Sequence, residues 1–315
     1  MHEFTAVTLF SGVGCSSLAA RNLGAEVMAH EFNPFACETL RANGIKVTEG
    51  DVREVDFTQY AGARLVEGGP PCQPFSQAHD GEGQFDPRDM IPEFIRAVAE
   101  ILPEVFIMEE VQTLTWAKHR AYLDHVIECL TALGYRVEAR VLDASKHGNA
   151  QARKRLFVVG VRVDLDREVA WPAQRPGPTM AEFLGWTSNT CDERNYAVPD
   201  SRAHVLDNRA QWPMHRSAMT VVGSFRPEVM AAPGYRKAGD PPRQATPGSV
   251  VVTLEERMKL MGLPTDWVVV GKESDRDLQV GNGVVVQMMQ DLMAANLFEA
   301  DTTYGDPRDS AWPTA

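Results

Sequence analysis

The segment AVTLFSGVGCSSLAARNL (6–23) decides the fold, because a strand pattern, a glycine turn and the start of a helix follow one another directly. Residues 6–10 are mostly apolar and predict a strand, SGVG (11–14) predicts a tight turn, and 16–23 predicts the opening of a helix. Glycines in such a turn let the backbone approach a ligand closely. The turn alone fits nucleotide sites of many kinds, or merely a tight turn, so it does not name the ligand.

Helix and strand patterns alternate in the residues that follow. Apolar residues recur at helical spacing over 91–102 and 122–133, and each of these stretches lies between strand candidates. Such alternation builds βαβ units and a sheet rich in parallel strands. We therefore predict an α/β fold with a doubly wound, Rossmann-like sheet, carried by a domain over residues 1–163.

The pattern changes after residue 163. Pro, Gly, Trp and Arg become frequent, helical and strand periodicity fades, and runs such as AAPG (231–234) indicate loops. We predict a small, irregular domain over 164–270 and a C-terminal segment over 271–300 that returns to the first domain, with a helix over 286–297. The tail over 301–315 is predicted to be poorly ordered.

A cysteine in a stiff loop is the first candidate for chemistry. GGPPCQPFS (68–76) frames Cys72 with three prolines, which fix the backbone around the thiol. A structural cysteine is normally a small buried side chain inside a helix or strand and needs no such frame. The loop alone could still be an ordinary tight turn, so this segment by itself leaves both interpretations open.

Two further segments favour a catalytic site. VFIMEEV (105–111) predicts a buried strand that ends in acidic residues, at the position where α/β proteins place their chemistry. QARKR (151–155) precedes a strand pattern, and period-two alternation puts Arg153 and Arg155 on one face. Singly, a surface acid and a solvated basic run are the commoner interpretations. The joint occurrence of thiol, carboxylate and guanidinium groups, in this order, indicates catalysis.

Together these segments resemble the DNA cytosine-5 methyltransferases. PPCQPFS resembles the nucleophile loop of that family, EEV (109–111) its Glu-Asn-Val motif, and QARKR its Gln-x-Arg-x-Arg motif. The resemblance implies methyl transfer from S-adenosylmethionine to carbon 5 of a flipped-out cytosine in duplex DNA, through a covalent adduct with Cys72. It makes Glu109 and Arg155 the groups that stabilise charge on the pyrimidine, with Arg153 supporting the loop.

The resemblance also implies a cofactor site. An acid about twenty residues after the glycines suits ribose hydroxyls, and Glu31 stands there. The residues matched to the S-adenosylmethionine site of the family are Phe10, Gly12, Gly14, Glu31, Phe32, Asp51, Val52, Pro71, Asn282 and Val284. An NAD site is the rival interpretation, but it has no use for the proline-framed Cys72. On this basis 1–163 is the catalytic and cofactor-binding domain, and 164–270 is the target-recognition domain.

Composition agrees with an enzyme of a reducing compartment. The five cysteines are odd in number and far apart, which argues against a disulfide framework and against a metal site. No apolar run has membrane-spanning length, and we expect a soluble cytoplasmic protein. Its expected partner is double-stranded DNA; we expect a monomer without a membrane partner, and the sequence leaves open a companion restriction endonuclease.

The net charge of −12 conflicts with DNA binding, because phosphate contacts need Lys and Arg. The distribution of charge resolves most of the conflict. Residues 136–162 contain seven basic side chains and two acidic ones, a local excess of five positive charges. We expect the DNA footprint in this run, although a solvated helix face could give the same count.

Several residues depart from the family pattern. Thr8 stands where an acid is common, Cys15 where a glycine is usual, and Glu110 where the motif has Asn. Glu110 either points inward beside Glu109, where two carboxylates raise each other's pKa, or points away, since adjacent strand residues face oppositely. Two alternative functions remain: a catalytically weak, DNA-binding member of the family, and the same chemistry on RNA.

Overall fold

A computed structural model describes residues 4–71, 89–186, 197–198, 212–213, 216–223 and 252–298 of the protein. The nucleophile candidate Cys72, most of the predicted recognition domain and the predicted tail lie outside the described residues. The division into domains therefore stays a prediction.

A seven-stranded sheet forms the centre of the described structure, in the order β3-β2-β1-β4-β5-β8-β6. The strands of this sheet are β1 (Phe4–Leu9), β2 (Ala25–Glu31), β3 (Lys46–Glu49), β4 (Leu65–Gly68), β5 (Val105–Val111), β6 (Tyr135–Asp143) and β8 (Lys154–Arg162). The first five strands in this order, β3, β2, β1, β4 and β5, pair in parallel, whereas β8 runs antiparallel to both β5 and β6. The predicted α/β fold is confirmed, with an antiparallel edge that the sequence patterns did not predict.

Short strands pair outside this sheet. β7 (Gln151–Ala152) pairs with β11 (Ala218–Met219), and β9 (Ala197–Val198) pairs with β10 (Trp212–Pro213). The β7–β11 pair joins the motif QARKR to the residues around 220, far along the chain.

Helices cover both faces of the sheet. They are α1 (Cys15–Asn22), α2 (Pro34–Ala42), α3 (Ile91–Ile101), α4 (Arg120–Ala132), α5 (Met180–Leu184), α6 (Leu254–Met261), α7 (Glu273–Asn282) and α8 (Val286–Leu297). The predicted helices over 91–102, 122–133 and 286–297 correspond to α3, α4 and α8. The core therefore has two parts: α1, α6 and α8 pack on one face, and α3 and α4 on the other.

Local sequence explains where several helices begin. Asn33 accepts hydrogen bonds from the N–H groups of Phe35 and Ala36, and Pro34 occupies the first turn of α2, where its missing N–H costs nothing. Thr253 and Glu256 form a capping box at the start of α6, so each satisfies a backbone N–H at the helix terminus. Of the two caps, that of α2 borders the cavity at the carboxyl ends of the strands through Asn33.

The strand order reverses at β1, whose neighbours β2 and β4 connect to opposite halves of the sheet. In open α/β sheets, ligands bind outside the carboxyl ends of the strands at such a switch point. The fold therefore predicts a binding site where β1 and β4 end. None of the helices in the described ranges is long and apolar enough to cross a membrane.

Candidate active site

A cavity of about 600 Å³ opens at the carboxyl ends of the strands, where the reversal of strand order predicts a site. The ends of β1, β2, β4 and β5, the start of β8 and the C-terminal part of α7 contribute its walls. Of the sequence-predicted residues, those lining it are Phe10, Gly12, Glu31, Phe32, Asp51, Val52, Pro71, Glu109, Arg155, Asn282 and Val284. The chain thus brings together residues that are more than 250 positions apart in sequence.

Glu31 organises the glycine turn at one end of the cavity. Its Oε2 accepts a hydrogen bond from the N–H of Gly12 at 2.7 Å, and its Oε1 accepts from the N–H groups of Phe32 and Asn33 at 2.9 and 2.8 Å. Gly12 has a φ of 51°, a conformation that favours glycine. Because an ionised carboxylate has about four lone-pair sites, Glu31 keeps acceptor capacity for a ligand hydroxyl.

Two aromatic side chains flank this end. Phe10 has a φ of 56°, which is rare for a bulky residue and costs roughly 1–2 kcal/mol. Phe32 is 72% exposed although it borders the cavity. A strained residue and an exposed aromatic ring at one cavity are typical of a ligand site. With the acidic side chains nearby, this end could hold a flat ligand that carries hydrogen-bond donors.

Asp51 begins the short turn after β3 and pairs with a cation that the sequence analysis did not single out. Arg53 Nε lies 3.0 Å from both carboxylate oxygens of Asp51, and the N–H of Arg53 donates to Oδ1 at 3.0 Å. The side-chain and backbone hydrogen bonds from Arg53 hold the pKa of Asp51 below its ordinary value. Both residues line the cavity, so a ligand here meets a charge-balanced pair.

Glu109 and Arg155 meet at the other end of the cavity. Arg155 Nε lies 2.8 Å from Glu109 Oε1, because β5 and β8 are adjacent antiparallel strands. Glu109 Oε1 is buried and accepts no well-aligned hydrogen bond within the described part of the chain. Gly69 approaches closely, since a Cβ at that position would lie 3.2 Å from Glu109 Oε2. The carboxylate therefore faces the cavity with acceptor sites left for a substrate.

Pro71 ends the described chain at this same end, one residue before Cys72. Cys72 itself lies outside the described residues.

Arg153 does not line the cavity, unlike Arg155. Its side chain is fully buried, and its guanidinium donates to the carbonyls of Val221 and Gly281 at 2.8 and 3.0 Å. Gly281 lets α7 approach closely there, because a Cβ would lie 1.9 Å from the N atom of Gly223. Arg153 therefore joins β7, residues 221–223 and the helix that carries Asn282.

Gly14 also lies outside the cavity lining. Its φ of 90° and its packing explain the glycine, because a Cβ would lie 2.8 Å from Leu40 and 3.0 Å from Trp267. The structure thus gives Gly14 a packing role at the start of α1 and no contact with the cavity.

Glu110 follows Glu109 on β5 and is 1% exposed. It lines the cavity together with Glu109, and its Oε2 accepts a hydrogen bond from the N–H of Val111. Burial, followed by the charge of Glu109, raises the pKa of Glu110 well above its ordinary value. Burial therefore favours the neutral form of this side chain.

The sequence analysis missed Glu67, a second buried acid, and several polar residues of the cavity. Glu67 ends the apolar run of β4, is 2% exposed and lines the cavity together with Ser16 and Gln279. An acid at the carboxyl end of a buried strand is the same signal that identified Glu109. Glu67 could have been found by applying that rule to β4.

In the described ranges, no group of three or more His, Cys, Asp or Glu side chains could hold a metal ion.

Comparison with known sequences names the family. The model of the family described as "C-5 cytosine-specific DNA methylase" matches residues 4–297. The chain belongs to this family. It is accordingly a DNA cytosine-5 methyltransferase, and the predicted family and class of enzyme are confirmed.

Curated relatives and solved structures agree. The chain is 29% identical to the type II methyltransferase M.NgoMIV of Neisseria gonorrhoeae, over 89% of this chain and 93% of the relative. It is 38% identical to M.Eco47II of Escherichia coli, over 90% and 76%. The fold matches that of the S. pombe Dnmt2 methyltransferase with a TM-score of 0.63 at 18% identity, covering 94% of this chain and 98% of that one.

Proposed function

We propose that the protein transfers a methyl group from S-adenosylmethionine to carbon 5 of a cytosine flipped out of duplex DNA, through a covalent adduct with Cys72. The observation that carries the proposal is the ion pair of Glu109 and Arg155 in a cavity whose wall reaches Pro71, the neighbour of Cys72. A stacked base cannot reach such a cavity, so the target cytosine must leave the duplex.

The chemistry requires these three groups together. Cytosine carbon 5 is a weak nucleophile, and addition of the Cys72 thiolate at carbon 6 moves an electron pair onto it. Glu109 holds a proton at ring nitrogen 3, and Arg155 donates to oxygen 2, so both counter the negative charge on the ring. When bound, S-adenosylmethionine supplies a methyl group on a positively charged sulfur. Loss of the proton from carbon 5 then breaks the bond between carbon 6 and Cys72.

The cavity fits the proposed cofactor. Phe10 and Phe32 would cover the adenine, while Glu31 would accept from the ribose hydroxyls and Asp51 from the adenine amino group. Val52, Asn282 and Val284 would complete the walls. The exposed ring of Phe32 supports this assignment, because an exposed aromatic side chain beside a cavity gains a partner when a flat base binds.

Trapping with a fluorinated base tests the reaction. Duplex DNA that carries 5-fluorocytosine at the target site should form a complex with the protein that survives denaturation, because fluorine cannot leave carbon 5 as a proton. Cys72→Ala should abolish the complex, whereas Cys129→Ala should retain it. A Cys72→Ala protein that still traps DNA would show that another residue is the nucleophile.

The same experiment separates the alternatives. Trapping of fluorinated RNA but not DNA would favour the RNA substrate, and binding of DNA without trapping would favour a catalytically weak member. We further propose a restriction–modification role, since M.NgoMIV and M.Eco47II are named type II methyltransferases. Bisulfite sequencing of DNA from cells that express the protein would give the recognised site.

A further inference from the structure

Glu67 is a buried carboxyl that the proposed chemistry does not use. It lies at the carboxyl end of β4, is 2% exposed and lines the cavity. Its Oε1 accepts a hydrogen bond of 2.9 Å from the hydroxyl of Ser16, in the first turn of α1. Within the described part of the chain, Glu67 has no cationic partner, although buried carboxyl groups are normally paired.

The position of β4 in the sheet says which part of a ligand Glu67 would meet. Glu31 and Asp51 lie at the ends of β2 and β3 on one side, and Glu109 lies at the end of β5 on the other. β4 lies between these groups of strands in the sheet order. A cofactor that reaches from the nucleoside end to the reacting end therefore passes Glu67, and a positively charged group of that cofactor can lie beside this carboxyl.

The pairing of β1 and β4 adds an independent observation. Thr8 on β1 is the register partner of Glu67 on β4. Both side chains face α1, because Thr8 Oγ1 lies 2.8 Å from Ser17 Oγ and Glu67 binds Ser16. Thr8 and Glu67 thus lie on the same face and at the same level of the sheet, and Glu67 is the ionisable group of the two.

We propose that Glu67 binds the ammonium group of the methionine half of S-adenosylmethionine. The inference rests on the proposed function and identifies the residue that pairs with this charge. A carboxylate with a hydroxyl donor on one oxygen keeps acceptor sites for an ammonium, which has three N–H donors. The contact gives this buried carboxyl a cationic partner, which it otherwise lacks among the described residues.

The contact makes cofactor binding release a proton. Burial raises the pKa of Glu67 to about 8, and the charge of Glu109 acts in the same direction. Besides Glu109 from β5, the titratable group nearby is Cys15 from α1, whose pKa burial raises to about 12. The free Glu67 carboxyl is therefore mostly protonated at about pH 7, and an ammonium partner favours its ionised form. Affinity should rise with pH up to about 8.

Calorimetry with two ligands tests the contact. S-adenosylhomocysteine carries the amino-acid group, whereas 5′-methylthioadenosine lacks it. Glu67→Gln should weaken S-adenosylhomocysteine roughly tenfold or more and leave methylthioadenosine unchanged. Asp51→Asn, at the nucleoside end, is the matched control and should weaken both ligands alike. In wild type at about pH 7, titrations in buffers of different ionisation enthalpy should show release of about one proton with S-adenosylhomocysteine only.

Each result of these titrations supports or overturns the contact between Glu67 and the ammonium group. Equal effects of Glu67→Gln on the two ligands, or no effect, would overturn the contact while leaving the proposed function intact. If Glu67→Gln weakens the binding of S-adenosylmethionine alone, the carboxylate lies at the sulfonium, which would also overturn the contact with the ammonium group. If wild type binds none of these ligands, the proposed function itself fails. Should Glu67→Gln not fold, the proton release of wild type decides, and its absence counts against the proposal.

Discussion

Replacing Glu67 with Gln should stabilise the ligand-free protein, and increasingly so as pH rises. Burial raises the pKa of this carboxyl from its ordinary value of 4.5 to about 8 in the folded protein. A group with a raised folded-state pKa contributes stability that is fully present below its unfolded pKa and is lost as pH rises through its folded pKa. Glu67→Gln keeps the shape and the contact with Ser16 but has no proton to lose.

The magnitude follows from that difference in pKa. Each pH unit between 4.5 and about 8 is worth about 1.4 kcal/mol, so the difference in free energy of unfolding approaches about 5 kcal/mol near pH 8. Relaxation around the ionised carboxyl lowers this upper limit, and we expect roughly 3–5 kcal/mol. An effect of that size is a large part of the stability of a typical domain.

Urea unfolding of the ligand-free protein at several values between about pH 5 and 8.5 would measure it. The curve of Glu67→Gln should diverge from wild type with rising pH, whereas Glu38→Gln, an exposed substitution on α2, should run parallel to wild type. Parallel curves for Glu67→Gln and wild type would refute the reasoning, because they would mean that the folded protein holds Glu67 as easily ionised as the unfolded chain does.

Two further predictions concern other buried ionisable side chains. Arg257 on α6 and Asp277 on α7 form an ion pair of 2.6 Å with both side chains 7% exposed. Either Arg257→Met or Asp277→Asn alone should lower the free energy of unfolding by about 3–5 kcal/mol, and the double variant should lose much less than the sum in denaturant titrations. Glu110→Asn, which restores the family residue, should shift the pH profile of single-turnover methyl transfer between about pH 5.5 and 8.5 with little gain in rate, because burial already favours the neutral form of the replaced acid. A large gain at neutral pH, with wild type nearly inactive, would instead favour the weak DNA-binding alternative.

The parts of the fold that could be predicted are those whose burial follows from the pattern of apolar residues in the sequence. Strands β4 and β5 are covered on both faces, so they are apolar runs bounded by turn residues, and α3 and α8 carry apolar stripes. Strand β6 was missed because it is an edge strand with half-buried, charged positions. Helix α7 was missed because its buried residues include Asp277 and Gln279, whose partners lie on other elements.

The candidate site shows the same division. Glu109 and Arg155 could be predicted to act together because strand ends and period-two alternation are local properties. Arg153 could not be separated from Arg155 by pattern, since its partners are the carbonyls of Val221 and Gly281, far along the chain. Glu67 carries the same local signal as Glu109, an acid at the end of an apolar run, but its enclosure by the neighbouring strands and its contact with Ser16 of α1 are not visible in the pattern.

The basic run at 136–162 marks the limit of counting charges along a sequence. The window ends just before three acids that pair with two of its arginines: Arg136 contacts Asp166 and Glu168, and Arg162 contacts Asp164 at 2.7 Å. Within the run, Arg140 pairs with Glu138, Arg155 pairs with Glu109, and Arg153 is buried.

Most of the basic side chains in this run are therefore ion-paired or buried within the protein. Arg136, Glu138 and Arg140 lie on β6, the edge strand, where charged side chains protect an exposed sheet edge from pairing with another chain. A charge count indicates a surface for phosphates only when the cations are free of partners, because an ion-paired cation releases few counterions on binding. The case for DNA as the substrate thus rests on the family and on the residues of the cavity, and this run supplies little of it.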